Sequence, residues 1–335
     1  MKNYLLFYVL FFVTTLFGQV SQQPLTGPGS AIYEHDAVSF YNYAEKQDGF
    51  WLFEPASPTP KKTNLIVFLH GYGGYNPMIY GQWIKHLVRK GNTVIYPRYQ
   101  KNVFSPSPNK FSENVVTGII DALTTIEEND KHIPTNKEQL CIVGHSYGGI
   151  LAAEITANWE KYAIPKPLGI FLCAPGTGPF KAGKLENYNV LSPDLNLLVI
   201  VNENDYIVGD EMGVKIFETA TNTPKRNLIR QQIDNGNNIS AGHNETYCVD
   251  EDFDSGHHNY TAKKALRITK TNAVDYYGYW KLFDALIDCS RTAKNCEYAF
   301  GNTVQQRNLG IAETGDKIKE LEVITANPKQ LSAKE

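Results

Sequence analysis

The chain lacks most of what would mark it as a membrane or nucleic-acid protein. Beyond its first two dozen residues, no run is apolar enough to cross a bilayer. It carries 32 Lys plus Arg against 35 Asp plus Glu, a formal net charge of −3, so there is no large basic surface for nucleic acid. Only five cysteines are present and none forms a C-x-x-C pair, which argues against a cysteine metal site. No internal repeat is visible. What is present is apolar and aromatic. Hydrophobic residues make up 42%, enough to bury a sizeable core and to exclude a wholly disordered chain. The 20 Tyr and 16 Phe can serve that core, a sugar- or lipid-facing cleft, or both.

The first residues follow the charged, apolar, small-residue order of a secretory signal. Lys2 precedes an apolar run from Tyr4 to Phe17, and Gly18–Gln23 are small or polar. The run is about 14 residues, short of the ~20 that a span needs. Cleavage is expected near Gly18 or Gln19. No Cys follows for a lipid anchor, so the mature protein is expected to be secreted or periplasmic, with no stable membrane anchor. The stretch 325–335 is polar and aperiodic and reads as a C-terminal tail.

In an oxidising compartment the cysteines matter. Cys289 and Cys296 are seven apart across a helix end and a polar loop, and a disulfide between them is expected. Cys141 and Cys173 sit in apolar runs suited to buried thiols. Cys248 is then left unpaired.

At roughly 150 residues per domain, 335 residues suggest about two domains. The pattern along the chain favours one. Strand-like runs occur at Gly49–Phe53, Asn64–His70, Thr93–Tyr96, Gln139–Val143, Leu168–Leu172, Leu195–Val201 and Asn227–Ile233. Several are rich in Val, Ile and Leu without alternation, as in strands buried on both faces. Helical patterns separate them at Met78–Lys90, Ser112–Asn129, Tyr147–Lys161 and Glu211–Thr219, and a last one spans Ala273–Cys289. This order predicts an α/β fold with a mostly parallel central sheet covered by helices. The domain plan is a signal over 1–19, a catalytic domain over 20–324 and the tail. The least regular stretch, Gly236–Lys270, is expected to be a long loop, functional or disordered.

The chemistry concentrates where the strand Gln139–Val143 runs into Gly144-His145-Ser146-Tyr147-Gly148 and a helix begins at once. A strand-to-helix turn this sharp strains Ser146 and exposes its hydroxyl. Glycines at 144 and 148 let neighbouring backbone approach, and the helix N-terminus can stabilise a developing oxyanion. The second element, His70-Gly71-Tyr72-Gly73-Gly74-Tyr75, follows the strand Leu65–Leu69. The N–H groups of Tyr147 and Tyr72 are the expected oxyanion donors.

A serine nucleophile needs a base, and the base a carboxylate. Asp205, just past the strand Leu195–Val201, is the leading acid, with Asp210 and Glu203 as alternatives. Three histidines follow it. His243 comes soon after the last strand, where a base belongs, and His257 and His258 remain alternatives. His145 and His70 lie inside the two motifs and read as loop supports. His35, His86 and His132 precede the nucleophile.

Together, Gly144–Gly148, the His70-Gly71 loop and the order Ser, Asp205, His resemble the α/β-hydrolase fold from about Gly49 to Cys289. The runs Tyr80–Gln100 and Val274–Leu286 resemble, more closely, a group of secreted bacterial α/β-hydrolases. That likeness includes an Ala-x-His after a short turn, matched here by Asp234, Gly236 and Ala241-Gly242-His243. The chain departs afterwards, with about thirty residues, Asn244–Thr271, before the closing helix motif. The resemblance implies a serine hydrolase working through an acyl-enzyme without metal or organic cofactor.

A short segment, Ala174–Asp194, occupies the place of a cap and implies a fairly open cleft. Tyr72, Tyr75, Tyr147, Phe180 and Tyr206 are candidates for an aromatic wall there, with Tyr75, Phe180 and Tyr206 taken as substrate contacts. The insertion after His243 is a candidate lid. Three N-x-S/T sites, Asn238, Asn244 and Asn259, fall within it or just before it. The leading expectation is a carboxylic-ester hydrolase acting on a small-molecule or polymeric ester. A peptidase or amidase of the same fold, and a non-catalytic binding scaffold, are the competing readings.

Overall fold

The structure is a computed structural model that describes residues 22–324. The expected signal segment and the C-terminal tail therefore lie outside the described residues.

Nine strands form one sheet in the order β1-β2-β4-β3-β5-β6-β7-β8-β9. They are β1 (Ala37–Tyr43), β2 (Phe50–Ala56), β3 (Thr63–Leu69), β4 (Asn92–Pro97), β5 (Thr135–His145), β6 (Gly169–Cys173), β7 (Asn196–Asn202), β8 (Arg226–Gln231) and β9 (Glu322–Ile324). The run from β4 through β3, β5, β6 and β7 to β8 is parallel. Both margins are antiparallel, where β1 meets β2, β2 meets β4, and β8 meets β9. The sheet is thus mixed, with a parallel centre. The sequence pattern missed β1 and β9. Both are edge strands, only partly buried, and they lack the unbroken apolar run that marks the central strands.

Alternate residues of each central strand feed two cores, as the pleat requires. Ile66 and Phe68 of β3 face one side, where α1 (Gly81–Arg89) and α6 (Lys281–Thr292) supply Trp83, Leu87, Phe283 and Leu286. Leu65, Val67 and Leu69 face the other, against α2 (Phe111–Glu128), α3 (Tyr147–Ala157) and α4 (Glu211–Thr219). α3 ends at Ala157, four residues short of the expected stop. The chain from Asn158 to Ala163 is wound into turns instead.

The stretch expected to be the least regular is ordered and carries a helix, α5 (Tyr260–Ile268). Asn259 caps it by accepting from the Ala262 N–H at 2.9 Å. Ala262 and Ala265 pack into the first core, while Tyr260, Leu266 and Ile268 are exposed, so α5 shows no clean apolar stripe and its short pattern is easily missed. The closing helical pattern begins as a wide π-type turn over Val274–Trp280 and continues as α6. Cys289 of α6 is bonded to Cys296, with Cα atoms 4.7 Å apart. Cys141, Cys173 and Cys248 are buried free thiols. Among the described residues no helix is long and apolar enough to cross a membrane.

Candidate active site

The site forms where the parallel strands end. β5 lies between β3 and β6 at the centre of the sheet, and Ser146 follows it with φ +55° and ψ −120°. That is a costly conformation for a residue with a side chain. The turn is held by the Ser146 N–H donating to the Cys173 carbonyl at 2.8 Å, while the Ser146 carbonyl accepts from Gly149 and Gly176. The two flanking glycines are sterically required. A Cβ on Gly144 would collide with the Gly148 carbonyl, and one on Gly148 with the Leu69 carbonyl. The crowding lets β3, β5 and α3 converge on one point.

The structure brings together Ser146, His243 and Asp205. His243 Nε2 lies 2.9 Å from Ser146 Oγ, and His243 Nδ1 lies 2.7 Å from Asp205 Oδ2. All three are buried, at 6%, 8% and 8% exposure. Asp205 sits in the turn after β7, and its other oxygen accepts from the Ile207 and Val208 N–H groups at 2.9 and 3.0 Å. Burial opposes its charge. The His243 hydrogen bond and the two backbone donors outweigh that and hold its pKa below the ordinary carboxylate value.

The loop carrying His243 is tied to the loop carrying Asp205. The Asn204 N–H donates to the Ala241 carbonyl at 3.0 Å, and Asn202 Nδ2 donates to the Gly242 carbonyl at 2.6 Å. The alternative acids are engaged elsewhere: Asp210 pairs with Arg230 at 3.0 Å, and Glu203 accepts from the Ile233 N–H. The alternative bases stand apart from Ser146. His258 is exposed and pairs with Asp254 at 2.7 Å, and His257 packs edge-on to Tyr75 and Trp51.

The glycine-rich loop after β3 abuts the turn. The Gly71 N–H donates to Tyr80 Oη, the Gly73 N–H to Gln100 Oε1 and the Gly74 N–H to the Gly71 carbonyl. The N–H groups of Tyr72 and Tyr147 have no such partner among the described residues. Both remain able to receive an oxyanion. Beneath them runs a relay that the sequence did not disclose. Tyr80 O–H donates to His145 Nδ1 at 2.8 Å, and His145 Nε2–H donates to the His243 carbonyl at 2.8 Å. Burial, then the neighbouring His243, push the His145 pKa down to about 3, so this imidazole is neutral. His70, stacked on Tyr99 at 4.0 Å, is likewise buried and pushed down to about 4. Tyr80 opens the Tyr80–Gln100 run, but its partner is 65 residues away, beyond the reach of any local pattern.

A cleft of about 170 Å³ opens on Ser146 and His243. Gly71, Tyr72, His145, Ile207, Asn244, Tyr247 and three residues of α5, Tyr260, Thr261 and Lys264, complete its lining. The insertion after His243 therefore forms one wall of it. Asn259 Nδ2 donates to the Gly73 carbonyl at 2.7 Å, fixing α5 to the glycine-rich loop. Of the expected aromatic wall, only Tyr72 lines this cleft. Phe180 stacks on Tyr72 at 5.4 Å from the neighbouring segment. Tyr75 is buried away from the cleft, between Arg98 and His257. Tyr206 is 89% exposed, and its neighbour Ile207 takes the lining position. The Tyr147 ring turns under the Ala174–Asp194 segment, donating to the Ala182 carbonyl. Alternation at a tight turn decides which of two adjacent side chains points inward, and composition cannot.

No family model matches the chain. No curated protein matches it. Among solved structures it is similar to one from a structural analysis of two fungal esterases from Rhizomucor miehei explaining their substrate specificity. That similarity has 15% identity and a TM-score of 0.47, and covers 70% of this chain and 83% of that one.

Proposed function

We propose that the protein is an exported serine hydrolase of the α/β-hydrolase type that cleaves carboxylic esters through an acyl-enzyme. The observation that carries the reading is the unbroken hydrogen-bonded chain from Ser146 Oγ through His243 to Asp205, at 2.9 and 2.7 Å. In this reading His243 removes the Ser146 proton as Oγ attacks the acyl carbon, and Asp205 stabilises the imidazolium. The Tyr72 and Tyr147 N–H groups receive the oxyanion, an interaction worth about 10²–10³-fold in rate per donor. His243 then protonates the leaving alkoxide. Water, deprotonated by the same imidazole, releases the acid and restores Ser146. Export rests on the Lys2-led apolar run, and residues 20–324 make up the catalytic domain in this reading.

The test is covalent labelling by a fluorophosphonate followed by turnover. Wild type is expected to label at Ser146 and to hydrolyse p-nitrophenyl acetate, with aminoacyl nitroanilides untouched. Ser146→Ala and His243→Ala are expected to abolish both, and His258→Ala to retain both. Absence of labelling, or full activity in His243→Ala, would overturn the assignment. Turnover of nitroanilides in preference to esters would make it an amidase.

A further inference from the structure

We propose that the ester turned over at Ser146 carries an anionic group, a carboxylate or comparable oxyanion, that Lys264 reads. The inference rests on the hydrolase reading and names the class of its substrate. Lys264 is the only residue with a full charge in the lining of the cleft that opens on Ser146. No Asp or Glu faces it there. Both oxygens of Asp205 accept from His243, Ile207 and Val208, and Glu245, which accepts from Ser240 and the Gly242 N–H through Oε1, lines the adjoining groove that Lys264 also borders rather than the cleft itself.

Two other lysines have partners, while Lys263 of α5 is exposed and has none among the described residues. Lys85 pairs with Asp250 at 2.9 Å and Lys270 with Glu313 at 2.6 Å. Among the described residues Lys264 forms no ion pair and its Nζ makes no hydrogen bond. It is half-buried, in a lining that holds Tyr72, Ile207, Tyr247 and Tyr260 beside the polar Asn244 and Thr261. Apolar walls around a single unpaired cation focus its field on whatever enters. A neutral ester would strip water from that cation and offer nothing in return, whereas an anion restores the lost interaction. The position is fixed as well, because Asn259 caps α5 and binds the Gly73 carbonyl. The cation is thereby held to the same loop that offers the Tyr72 N–H.

The test compares wild type, Lys264→Gln and Lys264→Arg on two matched ester pairs. For the acyl side these are p-nitrophenyl valerate and mono-p-nitrophenyl glutarate. For the alcohol side they are m-tolyl acetate and 3-acetoxybenzoate. Gln preserves helix propensity, and circular dichroism checks the fold. Lys264→Gln is expected to lower the anionic-to-neutral ratio of kcat/KM for at least one pair by about ten-fold. Lys264→Arg is expected to retain most of the preference, and added salt to erode it. If both anionic-to-neutral ratios survive Lys264→Gln while neutral esters turn over and Ser146 labels, the role of Lys264 is refuted and the hydrolase reading stands. If wild type neither labels nor cleaves any of the four, the hydrolase reading fails, and this inference with it.

Discussion

His145 Nε2–H donates to the backbone carbonyl of His243 at 2.8 Å, so the residue before the candidate nucleophile holds the candidate base by its main chain. Tyr80 closes the same relay on the side of the glycine-rich loop, accepting from the Gly71 N–H at 3.0 Å and donating to His145 Nδ1. One neutral imidazole thus ties together the three segments whose mutual placement the proposed chemistry needs.

His145→Leu should therefore slow turnover by displacing the base. It leaves the His243 carbonyl and the Tyr80 hydroxyl stranded, at about 1–3 kcal/mol per buried group. Displacement of the base by a fraction of an ångström to 1 Å is expected to lower kcat by about 10²-fold with little change in KM. His145→Gln keeps a donor for the carbonyl and should recover part of kcat. Steady-state kinetics with thermal unfolding reads both. Wild-type kcat in His145→Leu would mean the relay only packs.

Gly148→Ala should prevent folding to the native state, because its Cβ would meet the Leu69 carbonyl, which is strand backbone and cannot move aside. Gly73→Ala should be milder. The strain is local, a positive φ of 76° and a clash with the Thr261 hydroxyl of α5. A folded Gly73→Ala protein with reduced kcat and a destabilised α5 is the expected outcome, measured by amide hydrogen exchange over residues 259–268.

Asp205 sets a pH dependence. Its folded-state pKa is held below the ordinary value, so it stabilises the fold fully above the unfolded-state pKa of about 3.9. That contribution is lost as pH falls through the lower folded-state value. Asp205→Asn should thus be less stable than wild type near neutrality. The gap should close as urea titrations are taken below about pH 4. On the proposed mechanism the same variant loses roughly 10⁴-fold in kcat, because Asn holds the wrong imidazole tautomer. A gap that stays constant with pH would contradict the depressed pKa.

Phe180 and Tyr206 should behave differently although the sequence groups them together. Phe180→Ala removes the ring stacked on Tyr72 at 5.4 Å, a pair worth about 0.5–1.5 kcal/mol, and should shift the acyl chain-length profile. Tyr206→Ala removes an exposed ring and should leave both profile and melting temperature unchanged. A chain-length series of p-nitrophenyl esters checks both.

What the sequence determined by itself is what short-range sterics encode. A Val/Ile/Leu run that ends in Gly144-His145-Ser146-Tyr147-Gly148 leaves the chain one way to turn from strand into helix, because the glycines remove the atoms that would clash. The buried central strands were legible for the same reason: an apolar run with both faces covered needs no partner to be recognised. The edge strands β1 and β9 were not, since their character comes from the neighbour they pair with. Nor was the meeting of Ser146 with His243, which spans 97 residues. Three histidines were open to the chain, and packing alone separated them. Asn202 and Asn204 draw the Ala241–His243 loop against the end of β7, while His258 is kept by Asp254. The insertion after His243 shows the same limit. Its sequence is polar and aperiodic, and it becomes a wall of the cleft only because Asn259 finds the carbonyl of Gly73, 186 residues away. Local patterns specify conformation, but which loops share a cleft is decided by long-range hydrogen bonds and burial that no single stretch of chain contains.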